Sequence, residues 1–190
     1  MTNVVLLGGN GYLGRNLTKH WLKADPDATF YVVSRSGKNK LTDPRIINVS
    51  ANVTDSKQVA KYLPAKLDYI VDLVGRPEKD PVKFKEVNDL PAETMLTLAK
   101  THQTKAMGFI GGILGPSSFV KGKAAIATKL RQSLIRTEVV APTIVYGDDR
   151  NDTMSKFVPL LKCFGLFSKK FKPVHVDDVT EELLHKLVRS

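Results

Sequence analysis

The stretch Val4-Val5-Leu6-Leu7-Gly8-Gly9-Asn10-Gly11-Tyr12-Leu13-Gly14 decides the fold. Four apolar residues ending on glycine are too few for a helix and read as a strand buried on both faces, as in a parallel sheet covered by helices. From Tyr12 the period changes. Leu13, Leu17 and Trp21 recur every four residues and mark one face of a helix over 12–22, which Asp25-Pro26 stops. Between strand and helix, Gly8 permits a tight turn, Gly11 leaves room for a ligand to approach the backbone, and Gly14 lets the helix lie close to the strand.

Further strands are read at 29–33, 45–49, 69–74, 105–110 and 139–145, all rich in β-branched and apolar residues. Helices are expected over 56–63, 82–100 and 118–136, with Asp55 capping the first of them. Pro91 falls inside the second and should either mark its start, near 88–91, or kink it. This βαβα rhythm predicts an α/β fold: a Rossmann-type doubly wound parallel sheet with helices on both faces and a reduced C-terminal lobe.

A chain of 190 residues fits one domain, 1–190, with 148–175 as a minimal substrate or partner segment. Hydrophobic residues at 42% and charged residues at 25% match an ordinary globular protein, and no apolar run approaches a membrane span. No basic and apolar leader precedes Val4, so the expected location is cytoplasmic. Cys163 has no second thiol, and His20, His102, His175 and His185 lack ligand spacing, so no metal is expected. The net charge of +10 is scattered, with small clusters at Lys38 and Lys40 and at Lys169, Lys170 and Lys172, which argues against nucleic acid.

The amides of a helix start facing glycines form a site for phosphate, so Gly8, Asn10, Gly11, Tyr12, Leu13 and Gly14 are expected to wrap the pyrophosphate of a nicotinamide dinucleotide. In an NAD site the second strand ends on an acidic residue that binds the adenosine ribose. Here that place holds Ser34-Arg35-Ser36, which supplies a guanidinium and hydroxyls for a 2′-phosphate and favours NADP(H) over NAD(H).

Three segments carry a family resemblance. Gly8, Gly11 and Gly14 match the glycine spacing of extended and atypical short-chain dehydrogenases/reductases, the NAD(P)-dependent epimerase/dehydratase-like group. Ala141-Pro142-Thr143-Ile144-Val145-Tyr146-Gly147 resembles a later strand of that group, and Phe171-Lys172-Pro173-Val174-His175-Val176-Asp177-Asp178-Val179 its final motif. The last segment is most similar to the branch that holds the 39-kDa-type accessory subunit of respiratory complex I and relatives linked to ubiquinone metabolism. The resemblance implies that Asn52 and Val53 contact adenine and that Leu73, Val74 and Gly75 line the adenosine pocket.

It also implies a tyrosine four residues before a lysine, donating a proton to a substrate carbonyl, and a serine at the preceding strand end. Those positions read Phe119 and Lys123, with Gly111-Gly112 in place of the serines. Lys123 is left to bind the nicotinamide ribose, or else lies on its helix surface. Ser117, Ser118 and Tyr146 are the replacement donors on offer, although none matches the required spacing, and Asp178 with Glu181 reads as a capping box. Two functions follow. One is a nucleotide-binding or accessory module whose apolar segment 154–167 meets a protein partner. The other is a small NADP(H)-dependent oxidoreductase or epimerase-like enzyme acting on a carbonyl or quinone.

Overall fold

In the computed structural model, which describes residues 1–147 and 172–189, β1 (Thr2–Leu7) occupies the middle of a six-stranded parallel sheet. Its sequence accounts for that place. Val4 and Leu6 enter one core and Val5 and Leu7 the other, and all four are fully buried. β2 (Ala28–Ser34) and β4 (Tyr69–Asp72) flank β1, pairing Phe30 and Tyr69 with Val4. With β3 (Ile46–Ser50), β5 (Ala106–Ile110) and β6 (Arg136–Val140) the order is β3-β2-β1-β4-β5-β6. The chain reverses its direction of travel between β1 and β4, which opens a crevice at the carboxyl ends of those strands.

Helices cover both faces, as the βαβα rhythm predicts. On one, α2 (Ser56–Ala60), α4 (Leu90–Thr101) and α5 (Ser117–Arg131) bring Val59, Met95, Leu98, Ile126 and Leu130 against Leu7, Ile70 and Phe109. On the other, α1 (Tyr12–Ala24) and α6 (Val176–Val188) bring Leu17, Trp21, Leu183 and Leu187 against Leu6, Phe30 and Val71. Trp21 is fully buried, its ring 6.1 Å from Phe30 and 5.4 Å from Tyr69. His20 of α1 ties the two helices together, contacting Asp177 at 2.9 Å and Glu181 at 3.2 Å.

Several boundaries differ from the sequence reading. The helix expected over 82–100 is three pieces: α3 (Pro81–Phe84), a π-helical turn Lys85–Asp89, and α4. Pro91 has no N–H to give, and the wider turn, in which the Leu90 amide donates to the Lys85 carbonyl, absorbs the missing bond before α4 begins. α2 stops at Ala60 rather than 63. α5 ends at Arg131, and Arg136 opens β6 instead of closing a helix; between them Leu134 adopts the left-handed φ of 65°, which no helix continues through.

The strand expected over 139–145 divides. β6 ends at Val140, before Pro142, which cannot donate to a ladder, and β7 (Val145–Tyr146) pairs instead with β8 (Val174–His175) in a separate two-stranded sheet. β8 runs straight into α6, so His175 is the cap, accepting from the Asp177 amide, and Asp178 with Glu181 forms no capping box. Cys163, segment 154–167, Lys169, Lys170 and Phe171 lie outside the described residues.

Candidate functional site: the glycine turn and the buried lysine

The crevice is built on the glycine turn. Gly8 has φ +76°, and its amide donates to the Val33 carbonyl at 2.9 Å, locking the turn to β2. A side chain at Gly14 would lie 2.4 Å from the Gly9 carbonyl oxygen, so only glycine lets α1 come this close. At Gly11 the sole near atom would be the Gly8 oxygen at 3.1 Å, which leaves open space in front of it. Gly11 is also the N-cap of α1, and no side chain caps that end, the arrangement that suits an incoming phosphate.

A cavity of about 420 Å³ opens there. It is lined by Gly8, Asn10 and Gly11 of the turn, by Ser34, Arg35 and Ser36 at the end of β2, and by Val53, Leu73 and Val74. Asn10 Oδ1 and Ser34 Oγ are buried without a hydrogen-bond partner among the described residues, as expected of polar atoms awaiting a ligand. Tyr12, Leu13 and Gly14 do not line the cavity. Tyr12 donates its hydroxyl proton to the Gly147 carbonyl at 2.6 Å, and Leu13 packs on the core, so these residues offer the crevice only the backbone that starts α1. Arg35 is exposed, and no described hydrogen bond or ion pair holds its guanidinium.

Arg35, Val53 and Val74 are shared with an adjoining cavity of about 840 Å³, which adds Asn52, Gly75 and Arg76. Asn52 is exposed, and its Oδ1 accepts the Thr54 amide at 3.1 Å, which leaves its side-chain nitrogen and a second lone pair of Oδ1 open to a ligand. Asp55 caps α2 through the Gln58 amide at 3.0 Å, as the sequence indicates.

At the other end of the crevice, the positions where the resemblance implies hydroxyls hold Phe119 and Gly112, which pack together. Phe119 is 7% exposed. A side chain at Gly112 would lie 2.7 Å from its Cε1, and one at Gly115 3.0 Å from its Cδ1. Phe84 meets Phe119 edge-on at 6.4 Å and lies on α5 where Gly122 has no side chain to stop it. Ser117 and Ser118 are exposed at the start of α5, and Tyr146 packs edge-on against His175 at 5.2 Å.

Lys123 is no surface lysine. It is 3% exposed, with Nζ 4.1 Å from the centre of the Phe109 ring, and burial lowers its pKa from the usual lysine range against the opposing charges of Asp72 and Asp89. Asp72 is fully buried, and burial raises its carboxyl to about 7 although the Lys123 charge opposes this. Sequence reasoning missed Asp72, Asn88 and Phe84. A lone carboxylate inside the apolar run 69–74 was the available signal for the first; nothing local marks the other two. Among the described residues no group of histidine, cysteine and carboxylates can hold a metal, and no helix is long and apolar enough to cross a membrane.

This strand order, with a glycine turn at the crevice, defines a Rossmann-type fold. Residues 4–133 match the family model described as the NAD dependent epimerase/dehydratase family, and the chain belongs to that family. Similar solved structures include UDP-glucose 4-epimerase with UDP-glucose from Thermotoga maritima (TM-score 0.77, 14% identity, covering 100% of this chain and 74% of that one). The enzyme WbmH of Bordetella bronchiseptica in complex with NAD+ is another (0.70, 14%, 98% and 72%). A third is a tyrosine-to-phenylalanine variant of ElxO with NADPH bound (0.72, 19%, 100% and 92%). No protein of curated function matches the sequence.

Proposed function

We propose that the chain binds a nicotinamide dinucleotide, NADP(H) in preference to NAD(H), and acts as a nucleotide-binding or accessory module without the family's tyrosine chemistry. The observation that carries this reading is the ring of Phe119, sealed against Gly112 and Gly115 where a proton donor and a substrate-orienting serine would stand. The backbone of residues 8–14 holds the pyrophosphate. Ser34, Arg35 and Ser36 take the 2′-phosphate, and Asn52, Val53, Leu73, Val74 and Gly75 border the adenosine. Lys123 serves the nicotinamide ribose. The bound nicotinamide would supply hydride chemistry, but Phe119 has no proton to add to it. Fold neighbours support the range of cofactors, since WbmH holds NAD+ and the phenylalanine variant of ElxO holds NADPH.

The same reading treats 1–190 as one domain in the cytoplasm, near the branch of the 39-kDa-type complex I subunit, with 154–167 meeting a protein partner. A second reading, a small oxidoreductase with a rebuilt proton donor, is favoured by Tyr146 against His175 beside Gly147, whose carbonyl is tied to Tyr12. Calorimetric titration with NADPH and NADH, followed by NADPH oxidation over a panel of carbonyls and quinones, tests both. Tight NADPH binding with negligible turnover is expected. Robust turnover abolished by Ser118→Ala or Tyr146→Phe would replace the first reading with the second.

A further inference from the structure

The two cavities share Arg35, Val53 and Val74, and beyond those three residues their linings differ in chemistry. The smaller carries the glycine turn and the hydroxyls of Ser34 and Ser36, groups suited to phosphate. The larger, of about 840 Å³, contains none of these. It adds Val87, Leu90 and Pro91, from the π-helical turn and the start of α4, to Val53 and Val74. Apolar side chains around an open slot suit the flat faces of a nucleobase rather than a phosphate.

Arg76 lines the larger cavity alone. It follows Gly75, whose φ is +145° and where a side chain would lie 2.7 Å from Asn88 Oδ1. Asn88 is wholly buried, and its amide nitrogen donates to the Arg76 carbonyl at 3.1 Å. The backbone of Arg76 is thereby pinned to the π-helical turn. Its side chain is exposed, and no described hydrogen bond or ion pair holds its guanidinium. Glu86 is the one carboxylate among the described residues that line this cavity, and no described ion pair joins it to Arg76.

We infer that Arg76 is a base-binding residue, its guanidinium stacking on the adenine of a dinucleotide whose base lies against Val53 and Val74. A guanidinium is planar and weakly hydrated, so it covers a π-face that an ammonium cannot match. The division of the lining separates its task from that of Arg35. Arg35 stands where the two cavities join, within reach of the phosphate groups of Ser34 and Ser36, whereas Arg76 belongs to the base end only. This inference rests on the nucleotide reading above and gives a role to the part of the larger cavity which that reading leaves without one.

The test is calorimetric titration of wild type, Arg76→Gln, Arg76→Lys and Arg35→Ala with NADPH, NADH and AMP. A stacked guanidinium serves every ligand that carries adenine, so Arg76→Gln is expected to weaken all three by about fivefold, while Arg35→Ala weakens NADPH alone. Lysine keeps the charge but not the plane, so Arg76→Lys should bind like Arg76→Gln, and the loss should persist at raised salt. Thermal unfolding of nucleotide-free protein should be the same in wild type and both Arg76 variants, because the side chain is exposed; a lower midpoint in Arg76→Gln would assign the loss to structure and overturn the inference. A loss confined to NADPH would make Arg76 a second phosphate ligand, and full recovery by lysine would make it a point charge; either outcome refutes stacking. Wild-type binding that Arg76→Gln leaves untouched removes this inference alone. If wild type binds none of the three ligands, the nucleotide reading falls and takes this inference with it.

Discussion

Gly11 and Gly14 stand three residues apart in one turn, and the structure predicts that replacing them fails in opposite ways. A methyl group at Gly14 would meet the Gly9 oxygen, Cα and carbonyl carbon at 2.4, 2.5 and 2.6 Å, all backbone atoms that cannot rotate aside. Gly14→Ala gains about 1 kcal/mol of helix propensity but incurs overpacking at or beyond the upper end of about 1–3 kcal/mol. The net loss is about 2 kcal/mol, a fall in Tm of roughly 4–8 °C for a chain of this size. At Gly11 the one near atom is the Gly8 oxygen at 3.1 Å, so Gly11→Val should cost under about 1 kcal/mol, the scale of an N-cap change. Its side chain, however, fills the space in front of the helix end. Thermal unfolding with and without NADPH separates the two effects. Nucleotide at a hundredfold excess over its Kd stabilises wild type by about 2.7 kcal/mol and Gly11→Val not at all. Wild-type stabilisation of Gly11→Val by NADPH would place the pyrophosphate elsewhere, and equal unfolding of both variants would refute the packing argument.

Arg35→Ala should weaken NADPH binding about tenfold and leave NADH unchanged, at the low end for a charged contact because Arg35 is exposed; calorimetry that finds equal losses would remove the 2′-phosphate assignment. Phe119→Tyr should fold and bind NADPH with wild-type affinity yet give no carbonyl reduction, and steady-state NADPH oxidation checks it. Burial raises Asp68, but the Asn3 amide and the Lys105 ammonium at 2.9 Å outweigh it and hold the carboxyl below its usual range. That stability is present above the ordinary carboxylate pKa and lost as pH falls through the folded value, so Lys105→Met should move acid unfolding, read by circular dichroism, to higher pH. Asp72 has the reverse sign: its carboxyl is raised to about 7, so stability falls as pH rises from about 4 to that value, and Asp72→Asn should flatten urea stability over this window.

The residues that could be read in advance are those whose role is local. Val4 to Leu7 are buried on both faces because four consecutive apolar residues admit no other strand, and Gly8, Gly11 and Gly14 meet the demands of one short turn. Asp55 caps a helix that begins at the next residue. What escaped depends on partners distant in the chain. Pro91 announces an irregularity, but whether the helix starts or widens there depends on a bond from Leu90 back to Lys85. Residues 145–146 look like the end of β6 until residues 174–175 offer them a different ladder. Lys123 falls at the spacing of the buried face of α5, between Phe119 and Ile126, so a surface position stays open to it only until the Phe109 ring is placed beside its Nζ.

The departures around Phe119 are physically one. Gly112 accommodates the Phe119 ring, since a Cβ there would lie 2.7 Å from it; Gly115 does the same on the same edge; and Gly122 admits Phe84 beside it. A serine restored at 112 would collide with the ring, and a hydroxyl restored at 119 would enter a space without the serine that should orient its substrate. Neither change can rebuild the catalytic half of the site alone. The nucleotide half is independent of this cluster: Gly8, Gly11, Ser34 and Arg35 stand on β1, α1 and the end of β2, whereas Phe119 and Gly112 belong to α5 and the segment after β5. Lys123, on α5 with its Nζ close to Gly75, lies between the two. On the proposed function, a fold divided in this way binds a dinucleotide at one end while the end that would hold a proton donor serves packing.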